Sequence, residues 1–240
     1  MYDLAKFTLS DMTRCGIELR KLGANASSME VVAQRTVRFL YDALRSPETG
    51  EPSCVLVRFF VSRQYGELDA ELQSFASSIL GTAPAPHTKC LTLLATAGAV
   101  PAWNSRHASA GHKALPLTSE ESIARSPMIA QLIRQFGVDA GAFVAPEPTF
   151  MVDAEQHNFN VFHVPEARGS ASIPAQKEFV EPFGVRSVLG FGGLLPTSEL
   201  FAIIIFSKQV IPRSTADLFR PLALNAKVAI LPFANERVFA

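Results

Sequence analysis

The stretch from Gly184 to Phe233 constrains this chain more than any other. Val185-Arg186-Ser187-Val188-Leu189-Gly190-Phe191 reads as a strand, Leu195-Pro196-Thr197-Ser198-Glu199 as a turn, and Leu200 to Ser207, centred on Ile203-Ile204-Ile205, as a second strand. After Pro212, the segment Ala216 to Leu231 is apolar on nearly every side. A helix of that kind must be buried on more than one side. One side can pack on the sheet and the other can meet a second subunit, which nominates Leu218, Leu222, Ala226 and Ile230 as a dimer face. Burial wholly within one chain is the competing account. Pro221 is compatible with the helix only if a fresh turn begins there.

Upstream, Ser10 to Leu22 reads as a helix capped by Ser10 and ended by a left-handed Gly23. A second helix follows, with Ser27 as N-cap and Glu30 at N3 of a capping box, and Ser46-Pro47-Glu48-Thr49-Gly50 breaks it. Cys54 to Val61 is an apolar strand interrupted by Arg58. Leu68, Leu72, Phe75 and Ile79 mark a helix ending at Gly81, and Cys90 to Ala95 is another strand. Pro101 to Leu117 shows little periodicity and reads mostly as loop. Thr118 to Glu121 offers a further capping box, with Pro127 interrupting the helix that runs to Gly137. Val144 to Thr149 reads as a linker, Phe159 to Val164 as a strand and Ala175 to Val180 as a short helix. Strand pairs joined by short turns argue for an antiparallel sheet, hence an α+β class, an α/β sandwich with helices packed on the sheet. The whole chain, 1–240, reads as one domain, with N-terminal helices over 1–46, sheet and pocket over 53–207 and a closing helix over 214–233.

Hydrophobic residues make up 48% of the chain, enough for a large core, and charged residues only 18%. Lysine plus arginine and aspartate plus glutamate both number 22, so the net charge is zero. That balance argues against nucleic acid and anionic membrane as partners, because both select an excess of positive charge. Arg14, Arg20, Lys21, Arg35 and Arg38 fall at helical spacings and read as solvated helix faces. Cys15, Cys54 and Cys90 form no CxxC pair, the N-terminus has no apolar signal core, and no apolar run reaches the ~20 residues of a membrane helix. These features predict a cytoplasmic protein.

Several residues invite a chemical reading. If Phe159 to Val164 is a strand, Phe159, Val161 and His163 share one face. A histidine there can bind haem iron or a ligand, whereas a core histidine satisfied by a backbone carbonyl is the plainer account. His107 and His112 approach zinc-ligand spacing but lack the further ligands that a zinc site needs. Trp103 supplies a flat apolar wall and Arg106 a bidentate partner for carboxylate or phosphate; both also suit a loop packed on the sheet. Gly190-Phe191-Gly192-Gly193 lacks phosphate-loop spacing and precedes a strand, so its glycines serve a turn or a close ligand. No nucleophile–base pair, GxSxG, HExxH or P-loop is present, so the chain is not expected to be an enzyme. Cys54 and Cys90 could neighbour each other in the sheet, but buried thiols explain them as well.

The run Gly184-Val185-Arg186-Ser187-Val188-Leu189-Gly190-Phe191-Gly192-Gly193-Leu194-Leu195-Pro196, with Leu200 to Ser207, Ala216-Asp217-Leu218-Phe219 and Ala223 to Phe233, resembles the C-terminal half of a GAF-like sensor domain. Leu19-Arg20-Lys21-Leu22-Gly23, Cys90 to Gly98, Trp103-Asn104-Ser105-Arg106 and Asn160 to Glu166 extend the resemblance to the N-terminal input region of bacterial PAS-containing sensor histidine kinases. The resemblance implies a central antiparallel sheet of about six strands, adjacent N- and C-terminal helices, a homodimer, and a downstream kinase or PAS module. The chain departs from that pattern by stopping at Ala240, where an output domain would begin, so it is expected to be a fragment or a stand-alone sensor. Bilin-binding relatives carry His directly after the attachment Cys, whereas Leu91 follows Cys90 here.

The resulting expectation is an input domain that binds a small-molecule signal, with no cofactor required. Its pocket is expected between the sheet and Pro101 to Leu117, lined by Trp103, Arg106, His112, Phe159, Val161 and His163. The alternatives are a haem-type gas or redox sensor ligated by His163, and a ligand-free dimerisation module whose pocket is filled by its own side chains.

Overall fold

The β signal of residues 184–207 is realised as an antiparallel hairpin. β5 (Ser187–Leu194) pairs with β6 (Leu200–Ser207) in continuous register from Ser187↔Ser207 to Leu194↔Leu200. In the computed structural model, which describes residues 1–137, 140–144, 160–235 and 237–240, this hairpin belongs to a six-stranded sheet. β1 (Cys54–Gln64), β2 (Lys89–Gly98), β3 (Ala114–Pro116) and β4 (Asn160–Val164) complete it in the order β3-β2-β1-β6-β5-β4, with every neighbour antiparallel. The α+β class and the expected six-stranded antiparallel sheet, with the N- and C-terminal helices beside each other, are therefore present.

One face of the sheet is roofed by α1 (Leu9–Lys21), α2 (Met29–Ala43) and the closing helix (Arg220–Ile230); α1 lies against the closing helix, and α2 lies on β1 and β2. Thr8, not Ser10, caps α1, through a capping box with Asp11. Ser28, not Ser27, caps α2 and accepts from Val31 N, which leaves Glu30 free for a longer-range pairing. In both cases the side chain one or two residues away has the reach to the N3 amide that the expected cap lacks. Gly23 is not left-handed. It is needed because a Cβ there would lie 2.4 Å from the Ala229 carbonyl oxygen, so α1 ends where the closing helix approaches. Pro221 sits in the first turn of the closing helix, and Arg213–Asp217 forms a separate helix before it, so the fresh turn that Pro221 requires is there.

The inner face of the closing helix is intramolecular. Leu222, Ala226 and Ile230 are 0%, 1% and 0% exposed, so these three offer no surface to a second subunit, and half-buried Leu218 packs against the same core. The exposed apolar residues of this region are Leu224, Val228 and Leu231.

α3 (Ala70–Leu80) ends at a left-handed Gly81 and packs on β3 and Cys90, on the same face of the sheet as α2. The opposite face carries shorter elements. α4 (Glu120–Ala124) is capped by Ser119 with Ser122 rather than by Thr118 with Glu121. α5 (Pro127–Gln135) restarts at Pro127, and α6 (Ala140–Val144) follows. Gln176–Val180 forms a π-helical turn that continues into Glu181–Phe183. Pro101 to Leu117 is more ordered than its sequence implies, with a 3-10 turn over Pro101–Asn104 and the strand β3. Among the described residues, no helix is long and apolar enough to cross a membrane.

Candidate functional site

Alternation along β1 divides its side chains between two layers. Val57, Phe59 and Val61 enter the core beneath α1, α2 and the closing helix. Leu56, Arg58 and Phe60 face the other way, onto a cavity of about 430 Å³. The far walls come from Trp103, the Ser109–His112 loop, the start of α5 at Pro127 and Met128, and Glu178 and Phe179 of the π-helical turn. A cavity of this size, mostly apolar with a few convergent polar groups, is what a small-molecule site requires.

Local chemistry holds these walls in place. Asn104 accepts from Gly98 N at 3.1 Å and Arg38 Nη2 at 2.7 Å, and donates to the Gly98 and Val100 carbonyls. It thereby fixes the 3-10 turn that presents Trp103. Trp103 meets Phe179 edge-on at 5.6 Å and Phe183 at 4.6 Å, and Phe179 meets Phe206 at 5.0 Å, so one wall is an aromatic cluster. The π-helical geometry of Gln176–Val180 is a recurrent device for aiming side chains into sites.

The polar end of the cavity centres on Arg58. Its Nη2 donates to Ser109 Oγ at 3.1 Å, its Nε is buried without a partner, and among the described residues no carboxylate pairs with it. Burial pulls the guanidinium down to about 10, still fully charged at neutral pH. Burial, and then the Arg58 charge, hold His112 below its ordinary value, so this imidazole at the cavity mouth is neutral at pH 7. Arg125 and Glu178, both exposed, flank the opening.

Of the residues named from sequence, Trp103 and His112 line this cavity. Arg106 does not. It is 7% exposed and locked between Glu30 (Nε to Oε1, 2.5 Å) and Asp69 (Nη2 to Oδ2, 3.0 Å), joining the starts of α2 and α3. Val161 and His163 lie on the helix-covered face. His163 Nε2 donates to the Ile211 carbonyl at 2.9 Å, as a core histidine does; burial, with Arg213 nearby, lowers its pKa against the pull of that bond. Phe159 lies outside the described residues. The residues that sequence reasoning passed over are Arg58, Ser109, Phe60, Phe179 and Phe206. Only Arg58, a cation inside an otherwise apolar strand, carried a signal that could have been found.

His107 and His112 do not converge. His107 Nδ1 pairs with Glu71 at 2.5 Å, and among the described residues no cluster of three or more histidine, cysteine or acidic side chains could hold a metal. Cys54 pairs across to Ser207 and Cys90 to Arg63, so they sit at opposite ends of β1, about 30 Å apart by the rise of a strand. All three cysteines are buried and free, and burial pushes each thiol up to about 12. The glycines of β5 lie within the strand rather than in the turn. A Cβ on Gly192 would lie 2.1 Å from the Phe201 carbonyl oxygen, so the neighbouring strand needs the space.

No protein-family model matches the chain, and no curated protein matches it. Among solved structures, it is similar to a free methionine-R-sulfoxide reductase from Neisseria meningitidis in complex with its substrate, at 10% identity and TM-score 0.49, over 98% of this chain and 95% of that one. It is also similar to a biliverdin-bound protein in its far-red absorbing dark state, at 11% identity and TM-score 0.44, over 93% and 98%. A bacteriophytochrome from R. palustris matches at 8% identity and TM-score 0.42, over 95% of this chain and 38% of that one. At these values the likeness carries no residue role across to this chain.

Proposed function

We propose that this chain is a sensory domain that binds a small molecule in the cavity between β1 and the π-helical turn, and that it acts by binding rather than by catalysis. The cavity itself carries the reading: about 430 Å³, walled by aromatic side chains, with one charged group at its polar end. A module filled by its own side chains would have no such space. The haem alternative loses its motive, because the His163 nitrogen that would meet iron is engaged by the Ile211 carbonyl on the other side of the sheet. For signalling, the ligand must bind more tightly to one arrangement of the roof helices than to another. The structural route between the two layers is β1, whose alternate side chains touch both. We extend the proposal to a homodimer that passes the signal to a kinase or PAS module, with contact through the outer stripe Leu224, Val228 and Leu231.

The test is to plug the cavity. Ala110→Phe and Ala175→Phe place a ring where two lining residues now leave space. Small molecules released on denaturing protein purified from cells, identified by mass spectrometry, should include a species present with the wild type and lost from both variants. Identical profiles from all three proteins would refute the reading.

A further inference from the structure

Arg58 is the anomaly of the site. It sits in the middle of a central strand, between β2 and β6, where its Cα neighbours are Thr96 and Ile204. Its flanking pocket residues, Leu56 and Phe60, are apolar and nearly fully buried. A desolvated guanidinium is costly unless charge and hydrogen bonds compensate it. The two buried arginines obey that rule: Arg106 has Glu30 and Asp69, and Arg63 has Glu199 and Glu67. Arg58 has one neutral hydroxyl, from Ser109, and a buried Nε with no partner among the described residues. What distinguishes it from the other two is that it borders the cavity.

We propose that Arg58 is the anchor for the ligand's carboxylate, and that the ligand is therefore a monocarboxylate with an apolar, ring-sized body lying against Trp103, Phe60, Phe179 and Phe206. The planar guanidinium offers N–H donors matched to a carboxylate, and Ser109 Oγ, itself at the cavity wall, accepts from Nη2 and orients the group. His112, neutral at the cavity mouth, and exposed Arg125 present no competing negative charge, while Glu178 at the rim disfavours a second anionic group on the ligand. This inference rests on the cavity being a ligand site, and the experiment separates the two claims.

The probes are 4-phenylbutyrate and its neutral counterpart 4-phenylbutyramide, which share a body and differ in charge. The readout is emission from Trp103, the only tryptophan of the chain and part of the cavity wall. The acid should bind the wild type about tenfold or more tighter than the amide, the scale of a charge-assisted hydrogen bond. Arg58→Met should abolish that preference, weakening the acid about tenfold or more and the amide by less. Arg58→Lys, which keeps the charge and loses the fork, should fall between. Thermal melting of Arg58→Met should match or exceed the wild type, because a desolvated charge with no carboxylate partner among the described residues is removed. Where Arg58→Met fails to fold, Arg58→Gln supplies the same comparison. Equal binding of acid and amide to the wild type, or a preference that survives Arg58→Met, overturns the anchor and leaves the cavity standing as a neutral site. Failure of both probes to bind the wild type overturns the cavity reading and the anchor together.

Discussion

The two faces of the sheet are built from the same strands to opposite ends. On the helix-covered face, Phe59, Phe191 and Phe201 are completely buried, and Phe59 stacks on Phe201 at 6.2 Å beneath α1, α2 and the closing helix. On the other face, Leu56, Arg58 and Phe60 look into open space enclosed by short helices, turns and an aromatic cluster. Long amphipathic helices can fill a sheet surface with interlocking side chains, whereas five-residue helices and a π-helical turn leave gaps. The contrast teaches that stability and recognition are separated here by the pleat of β1, one residue apart.

The sharpest way to break this contrast is to truncate on each side of one strand. Phe59→Ala is expected to cost about 4 kcal/mol, because the void it leaves is surrounded by rigid core, whereas Phe60→Ala, already bordering empty space, should cost about half as much; urea unfolding of both measures the difference. Equal costs would mean that the cavity face is as tightly packed as the roof. Next comes Arg106→Met, which leaves mostly buried Glu30 and half-buried Asp69 without their cation. A loss of about 2 kcal/mol is expected, between the values for exposed and fully buried pairs, in contrast to the neutral or favourable effect of the same change at Arg58.

An effect of similar size concerns pH, at the rim of the covered face. Burial pushes Glu199 up to about 7, against the pull of Arg63 at 3.0 Å and with Glu67 adding to the rise. The folded protein therefore holds a proton that the unfolded chain has released. The sign follows: this contribution is fully present below pH 4.5 and is lost as pH rises toward 7, so stability falls across that interval, by on the order of 2 kcal/mol. Glu199→Gln should flatten the slope between those limits in a series of thermal melts, and an unchanged slope would assign it to another group. The smallest expected change is Val228→Glu on the outer stripe, within about 0.5 kcal/mol of wild type in stability, but shifting a dimer toward monomer in sedimentation.

Much of the architecture was legible because it was written in local patterns. The isoleucine run 203–205, the turn at Leu195–Glu199 and the Pro221 restart are short-range signals, and each has its counterpart in the structure. The pocket was half legible. Trp103 and His112 lie in a loop whose lack of periodicity pointed away from a regular core. Arg106 looked equally suited to a ligand, but its partners Glu30 and Asp69 lie 76 and 37 residues away in sequence, and nothing local reveals such pairing. The same blindness hid Arg58, which read as an interruption in a strand until the empty volume beside it gave the interruption a meaning. The face assigned to Val161 and His163 was right in its alternation and wrong in which layer it met, since a period of two cannot tell one side of a sheet from the other.

The three sealed thiols have a practical consequence. Each is fully covered, and each thiol's pKa near 12 leaves almost no thiolate at neutral pH. Alkylation can therefore proceed only through transient opening of the surrounding element: α1 for Cys15, the start of β1 for Cys54, and the α3 side of β2 for Cys90. The chain thus contains its own set of clocks, three natural reporters whose modification times would rank how often separate parts of the molecule breathe, without a single label being engineered.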